Sequence, residues 1–545
     1  MTAACLRAPD LTRPMPARSH RRIALGALVL LAATATALPS AHAQSGPAAA
    51  HRGELKPPNI VVIQADDETY AQLNDEVMPN TERLLVKKGT TFTNYIATTA
   101  QCCPSRASFF TGQYAHNHGV TSNRVGYPGL VDKGNVLPVW LERAGYNTIH
   151  LGKFMNNYER FAKPESTVAP GWKQWHTVLS EAQYYDYDLF VNGRTMHYGR
   201  APKDNLTTVL NHDAVRMVNR YAPKRKPFYL QLDERSPHVT HQFDPHGSCG
   251  HAAIPEPQDE GRFKDPLPKP PSFNEKDMSD KPSFLRSAPR LNVEQRNNLH
   301  RRWKCSLDAI AGVDRGVKKV FNAVQDSGEI RRTVFLFVSD NGFFFGEHRL
   351  AAGKVFPYEE ALHLPLVIRV PRRYRADAPR VDQTPEPTAN IDIAPTLTQL
   401  AGASPCNPNV GCRTMDGRSL VPLLEGTGRW PSNRGLLTEY QEPGLARHST
   451  CQFAGIRQDA QLYVEHYRIV EPGGTGCVDE NPPLVERYNL TTDPYELNNM
   501  CFGGLLANCP TTPQQLLLKQ GLARLKDCAG IKGRDQPVAG RPFCE

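Results

Sequence analysis

Beyond residue 43 the 545-residue sequence has no apolar run long enough to cross a bilayer, so a soluble body without a stable membrane anchor is expected. The cysteines crowding its last third form no C-x-x-C pairs, which argues against a zinc module. No stretch interleaves basic clusters with aromatics, so nucleic acid is not an expected partner. No internal repeat recurs, which excludes a solenoid. With 40% hydrophobic and 22% charged residues, the composition leaves no room for wholesale disorder and suits one large domain plus a smaller one.

What is present begins with an export pattern. Arg21 and Arg22 precede the apolar run "IALGALVLLAATATAL", and "AHA" (41–43) offers a small-residue cleavage site before Gln44. Residues 1–43 therefore read as a signal peptide and 44–58, rich in Ala, Gly and Pro, as a linker. Loss of the signal, with its five Arg and one Asp, lowers the formal charge from +9 to about +5, a mildly basic balance that suits anionic substrates or a solvated surface. Of thirteen cysteines, eight lie beyond residue 405, a density that in a secreted or periplasmic chain suggests disulfides. Local spacing pairs Cys406 with Cys412, Cys451 with Cys477, Cys501 with Cys509 and Cys528 with Cys544. Cys249 with Cys305 makes a fifth pair and leaves Cys103 free.

Short apolar runs alternate with helical patterns. "NIVVIQADD" (59–67), "RTVFLFVSDNG" (332–342) and "LPLVIRVP" (364–371) read as buried strands, and "MPNTERLLVKKG" and "LHRRWKCSLDAIAGVDRGVKKVFNAVQDSG" as helices, the second closed by Gly328. The fold class is α/β: a large, mostly parallel sheet flanked by helices over 59–400. "RGLLTEY", "FAGIRQDAQLYVEHYRIV" and "ERYNL" suggest a smaller antiparallel-sheet subdomain over 401–500, followed by a Cys-rich tail, 501–545. The Pro-rich stretch 240–289 reads as a long loop, over a site or at the surface. Within it, "HGSCGH" (246–251) reads as a disulfide loop rather than a metal site. Asn205 and Asn489 each open an N-L-T sequon.

Two of the buried runs end alike, on Asp66 and Asp67 and on Asp340 and Asn341. Ligands in open α/β sheets sit beyond the carboxyl ends of strands, and three carboxylates with one amide suit a hard divalent cation, Ca²⁺ or Mg²⁺, better than zinc. Either pair alone is equally a helix cap. A further oddity is "AQCCPSRASFFTG": adjacent cysteines rarely satisfy disulfide geometry, so at least one of Cys102 and Cys103 has another task.

These motifs together resemble the sulfatase family. "CCPSRASFFTG" is similar to its Cys-x-Pro-Ser-Arg signature, "SDNGFFFGEHRLAAGKVFPYEEALHLPLVI" to its second block, and "GYNTIHLGKF", "SPH" and "ERYNLTTDPYELNNM" follow in family order from about Asn59 to Met500. "TGQYAHNHGV", "GWKQWH" and "YYDYDLFVNG" resemble most the N-acetylglucosamine-6-sulfatase branch. The resemblance implies that a formylglycine-generating enzyme oxidises Cys102 to formylglycine, whose hydrate is the nucleophile, with Cys103 a buried bystander. It implies Ca²⁺, with Mg²⁺ or Mn²⁺ as alternatives, held by Asp66, Asp67, Asp340, Asn341 and the modified Cys102. Arg106 would hold the hydrate, Lys153 and Lys354 the sulfate, and His238 would assist the leaving oxygen. Many family members carry a histidine two residues after the first lysine; here that place is Met155, leaving His118, Asn156 or a metal-bound group to act in its stead. The implied activity is sulfuric ester hydrolysis on a sulfated sugar, N-acetylglucosamine 6-sulfate among them, or on an aryl sulfate. The alternatives are a phosphonate or phosphate monoester hydrolase on the same scaffold, and a non-catalytic glycan-binding homologue.

Overall fold

The central strands are apolar on both faces because each face meets a different core. A computed structural model describes residues 56–161, 167–179, 183–375, 379–407, 411–431, 433–442, 450–471 and 473–545; the expected signal and most of the expected linker lie outside them. Along Asn59–Ala65, Ile60 and Val62 enter one core with Val334, Leu336 and Val338, while Val61 and Ile63 enter the other with Leu230, Leu232, Phe335 and Phe337. The first core is closed by residues of helices Cys102–Thr111, Leu137–Arg143 and Ile393–Ala401, the second by those of Leu206–Tyr221 and Val293–Asp326. The longest helix starts on a capping box, in which Asn292 Oδ1 accepts from Gln295 N–H at 2.9 Å and Gln295 Oε1 accepts from Asn292 N–H at 2.9 Å. It ends as expected just before Gly328, whose φ of 78° is open to glycine at little cost.

The sheet has ten strands in the order Gln383–Thr384, Thr90–Phe92, Leu366–Arg369, Thr333–Ser339, Asn59–Ala65, Phe228–Asp233, Asn147–Lys153, Gln174–Val178, Tyr187–Val191, Arg194–Tyr198. The five from Thr333–Ser339 to Gln174–Val178 are mutually parallel. Leu366–Arg369, the third expected strand, runs antiparallel to Thr333–Ser339, so the sheet is mixed although mostly parallel. Burial on both faces makes parallel and antiparallel runs look alike in sequence.

A second, four-stranded antiparallel sheet follows: Leu436–Gln441, Thr450–Gln458, Gln461–Val470 and Cys477–Asn489. The segment expected as one strand-like run, 453–470, is a hairpin folded at Asp459 and Ala460, whose φ values of 49° and 55° put both turn residues in the left-handed region. Its apolar face packs on Leu518, Leu522 and Leu525 of helix Pro513–Leu525. The same core takes in Ile96, Ala100, Tyr114, Phe344, Val355 and Tyr358 from the first part of the chain. The second sheet thus backs the loop that carries Lys354.

All five expected disulfides form, and Cys102 and Cys103 remain as buried free cysteines. Cys249–Cys305 ties the Pro-rich stretch to the long helix. There Asp308 also accepts from Gly261 N–H and Phe263 N–H at 2.8 and 2.9 Å, so the stretch is packed down rather than loose. The sequon at Asn205 is a helix cap instead: the residue is buried, its Oδ1 accepting from Thr207 N–H and its Nδ2 donating to Pro255 O. No glycan fits there.

The tail is held to the body by His116, whose Nδ1 lies 2.9 Å from Glu439 Oε1 and whose Nε2 lies 3.0 Å from the Cys528 carbonyl. Burial opposes its charge, but the Glu439 carboxylate outweighs burial and raises the imidazole to about 9. A pKa raised on folding above the ordinary ~6.5 adds stability that is complete below pH ~6.5 and lost as pH climbs through about 9, on the order of 3 kcal/mol in all. The melting temperature should therefore fall more steeply between pH 7 and 9.5 in the native protein than in His116→Gln. Parallel pH profiles would remove this ion pair from the account.

Candidate active site

Four consecutive parallel strands deliver the site. At their carboxyl ends stand Asp340 and Asn341, then Asp66 and Asp67, then Asp233, then Lys153. Helix Cys102–Thr111 points its first residue at this edge, and all ten of its residues are buried. Lys354 arrives from the loop after Asn341, and His238 from the turn after Asp233.

The structure brings together Asp66, Asp67, Cys102, Arg106, Lys153, His238, Asp340, Asn341 and Lys354. Cys102 Sγ lies 3.4 Å from Asp66 Oδ1, 3.3 Å from Lys153 Nζ and 2.9 Å from Lys354 Nζ. Lys153 Nζ also donates to Asp66 Oδ2, and Lys354 Nζ to Asp67 Oδ1. Asn341 Nδ2 donates to Asp67 Oδ1 at 2.6 Å, and Asp340 Oδ1 accepts from Asp67 N–H at 3.3 Å. Asp67 sits at φ 73°, a costly setting for a non-glycine residue that the surrounding contacts hold in place. His238 Nε2 is 3.6 Å from Asp67 Oδ2, and its Nδ1 faces the Val239 carbonyl.

Arg106, one helical turn after Cys102, is 1% exposed and does not touch Sγ among the contacts seen. Its Nε donates to Asp340 Oδ2 at 2.9 Å, and its Nη1 reaches the Lys153 carbonyl at 2.9 Å and Asp233 Oδ1 at 3.2 Å. Asp233 was not among the residues picked from the sequence. Its other carboxylate oxygen meets His150 Nε2 at 3.0 Å, so it links the arginine to a buried imidazole. The signal was there: "FYLQLD" is one more apolar run ending on an acid, as in the two strands already read.

Charge inside this buried cluster is uneven. Burial opposes ionisation of Asp66, but Lys153, with His238, Lys354 and Arg106, holds its carboxyl well below the usual range. Burial and then Asp66 push Asp340 upward against Arg106 and the lysines. Burial, with Asp66, lifts the Cys102 thiol to about 12 despite both lysines, so the encoded side chain is a neutral thiol. Burial drives His238 down to about 3, against the pull of Asp66 and Asp67.

Met155 turns away into the apolar core beside Phe110, Phe154 and Trp172. His118, considered as its substitute, is buried with Nε2 3.0 Å from Ser108 Oγ and Nδ1 accepting from Val120 N–H, so both ring nitrogens are engaged away from Cys102. Asn156 holds Cys103 instead, its N–H reaching Cys103 Sγ at 3.0 Å.

The sulfatase family model matches residues 58–403. The chain belongs to the sulfatase family. A second model, N-sulphoglucosamine sulphohydrolase, C-terminal, matches residues 346–504 of this sulfatase. It is 30% identical over 494 residues to an arylsulfatase of Volvox carteri, covering 83% of this chain and 72% of that protein. It is 28% identical over 520 residues to the N-acetylglucosamine-6-sulfatase of Homo sapiens, covering 87% and 85%. Not all relatives are of its size: it spans 49% of a Caenorhabditis elegans relative and 32% of the extracellular sulfatase SULF-1 homolog of Drosophila melanogaster. Among solved structures, BT4656 in complex with D-glucosamine-2-N,6-O-disulfate matches with a TM-score of 0.66 at 23% identity over 86% of this chain and 97% of that one. The phosphonate monoester hydrolase of Agrobacterium radiobacter matches at 0.59 and 20% over 86% and 94%. At such identities the two structures establish a shared fold.

Family membership implies a formylglycine and a divalent metal ion. The residues present fit a cation: Asp67 Oδ2 and Asn341 Oδ1 are buried and have no hydrogen-bond partner, beside Asp66 and Asp340. Buried acceptors left so are costly unless a positive charge meets them.

Proposed function

We propose that this sulfatase is exported and removes sulfate from a sulfated sugar, with N-acetylglucosamine 6-sulfate as the leading candidate, through a formylglycine at position 102. The observation that carries this reading is the placement of Cys102 Sγ between a buried and a partly buried ammonium group, 3.3 and 2.9 Å away, beside an oxygen-rich cation site. Relatives named for N-acetylglucosamine 6-sulfate, and one solved neighbour holding a 6-O-sulfated glucosamine, support the sugar class. The five disulfides support an oxidising compartment.

Formylglycine, as its hydrate, supplies one hydroxyl to attack sulfur and a second to expel sulfate and restore the aldehyde. Asp66, Asp67, Asp340 and Asn341 would hold a divalent cation, Ca²⁺ by the hardness of that all-oxygen set, which would supply positive charge to the sulfate and lower the pKa of the attacking hydroxyl. Lys153 and Lys354 bind the sulfate oxygens among largely buried side chains, where each charge counts for more than in bulk. Arg106 neutralises Asp340 and Asp233 and so fixes both carboxylates and the helix bearing residue 102. His238 is held with Nδ1 on a backbone carbonyl, which leaves Nε2 to face the ester. The imidazole is neutral in the free site, and an anionic ester next to it favours its protonated form. Nε2–H then donates to the departing sugar oxygen.

The test compares kcat/KM for N-acetylglucosamine 6-sulfate, a nitrophenyl sulfate and a phenyl phosphonate ester. Higher efficiency on the phosphonate than on either sulfate would reverse the assignment, and turnover of none would favour a glycan-binding homologue. His238→Ala should lower efficiency on the sugar sulfate by about 10²- to 10⁴-fold and on the nitrophenyl sulfate much less, because a sugar alkoxide needs the proton and a nitrophenolate does not. Equal losses would make His238 a binding group.

A further inference from the structure

A second group of ligand-type side chains lies outside the site described, where the loop after Asn341 meets the C-terminal sheet. His348, Glu360 and Glu496 each bring one ligand atom within 4.8 Å of the others. His348 and Glu496 are fully buried, while Glu360 keeps a partial opening to solvent, its side chain being 19% exposed. Each of the three is gripped on its outer side. His348 Nδ1 is 2.9 Å from Glu275 Oε2, Glu360 Oε1 accepts from Ser272 Oγ at 3.0 Å, and Glu496 Oε2 accepts from Glu359 N–H at 3.0 Å. The remaining atoms, His348 Nε2, Glu360 Oε2 and Glu496 Oε1, are buried and lack any hydrogen-bond partner among the described residues.

This is the arrangement a metal centre requires and a structural ion-pair network does not. A ligating imidazole presents one nitrogen to the ion while a carboxylate holds the other, which sets the tautomer, and its ligating carboxylates are themselves hydrogen-bonded. The His348 ring is further fixed by stacking on Tyr358 at 4.3 Å between centroids. Nearby cations are committed elsewhere: Lys281 pairs with Glu275 and Asp280, and Arg457 with Glu359. Among the described residues Glu496 has no ion pair, and Glu360 has only His348 at 3.8 Å. Glu275, Glu360 and Glu496 crowd three carboxylates around one imidazole, and the two without a lysine or arginine need further positive charge.

We propose that His348, Glu360 and Glu496 form a second divalent-metal site, oriented by Glu275, that pins the loop carrying Lys354 to the segment following the C-terminal sheet. One imidazole nitrogen with two carboxylates selects a first-row transition ion, zinc foremost, over the calcium that suits an all-oxygen set. Glu360, the one of the three with any solvent exposure, marks the side from which an ion would enter.

The test uses the full mature chain, first unaltered. Crystals equilibrated with Zn²⁺ should show a zinc-edge anomalous peak about 2.0–2.2 Å from His348 Nε2; no peak there overturns the proposal and leaves a proton shared between Glu360 and Glu496. In solution, Asp66→Asn/Asp340→Asn empties the first site, and after zinc loading and desalting this variant should retain about one equivalent, with its melting temperature raised by ~4 °C or more. Adding Glu496→Gln, which keeps the bond from Glu359 N–H, should abolish both the equivalent and the shift. Zinc content and melting temperature unchanged by Glu496→Gln would likewise overturn it.

Discussion

Cys102→Ala should lower sulfate ester turnover by at least about 10⁴-fold, the scale on which removal of a covalent nucleophile acts, while the protein remains folded. The side chain is buried, but its sulfur faces two ammonium groups and a carboxylate rather than apolar neighbours, so its loss removes little packing. The melting temperature should move by only a few degrees. Cys102→Ser is the sharper variant: it offers a hydroxyl of similar reach but lacks the thiol that a formylglycine-generating enzyme oxidises, so it should be impaired nearly as severely. Peptide mass spectrometry of active protein should find formylglycine at 102 and an intact thiol at Cys103, which the N–H of Asn156 holds from the other side of the helix start. Native-level turnover by either variant, or activity from a preparation whose Cys102 is wholly unmodified, would end the formylglycine mechanism.

Exhaustive chelation should abolish activity, and Ca²⁺ should restore it. Without a cation, the unsatisfied oxygens of Asp67 and Asn341 and the crowded carboxylates Asp66 and Asp340 are balanced only by Lys153, Lys354 and Arg106, and the two lysines are those that the proposed mechanism assigns to the sulfate. Asp340→Asn should raise the Ca²⁺ concentration for half-maximal activity by about tenfold or more, one lost charge–charge contact in a buried site corresponding to at least ~1.4 kcal/mol. Asparagine keeps an acceptor for Arg106, whereas Asp340→Ala would leave the buried guanidinium with Asp233 as its one paired carboxylate and should also destabilise the fold by about 3–5 kcal/mol. Full turnover after verified removal of metal would refute a role for the cation in the reaction.

Much of this site was legible because sulfatase chemistry is written locally. Cys102 and Arg106 share one helical turn, Asp66 with Asp67 and Asp340 with Asn341 each close an apolar run, and the cysteine pairs of the tail are close neighbours in sequence. Short-range periodicity and spacing are what a one-dimensional reading resolves. It misplaced features whose meaning depends on a distant partner. Asn205 showed only the sequon pattern, and its role as a helix cap emerged when Pro255 and a helix start claimed both ends of its amide. His118 was a candidate base until Ser108 and the backbone of Val120 occupied its ring.

From its residues alone, then, the chain determined the α/β class, the strand ends that bear the acids and the family, and it singled out Cys102 through the family motif, since each is carried by contiguous residues whose side-chain chemistry is distinctive. Only the tertiary structure decided that the third apolar run pairs antiparallel, that Asp233 joins Arg106 to His150, and that Glu275, His348, Glu360 and Glu496 converge from three separate segments. A buried run satisfies its backbone equally well in either direction, and a carboxylate's partner is chosen by which strand lies beside it. Strand order is a property of the folded sheet, set by packing among residues hundreds of positions apart, and local sequence pattern does not encode it.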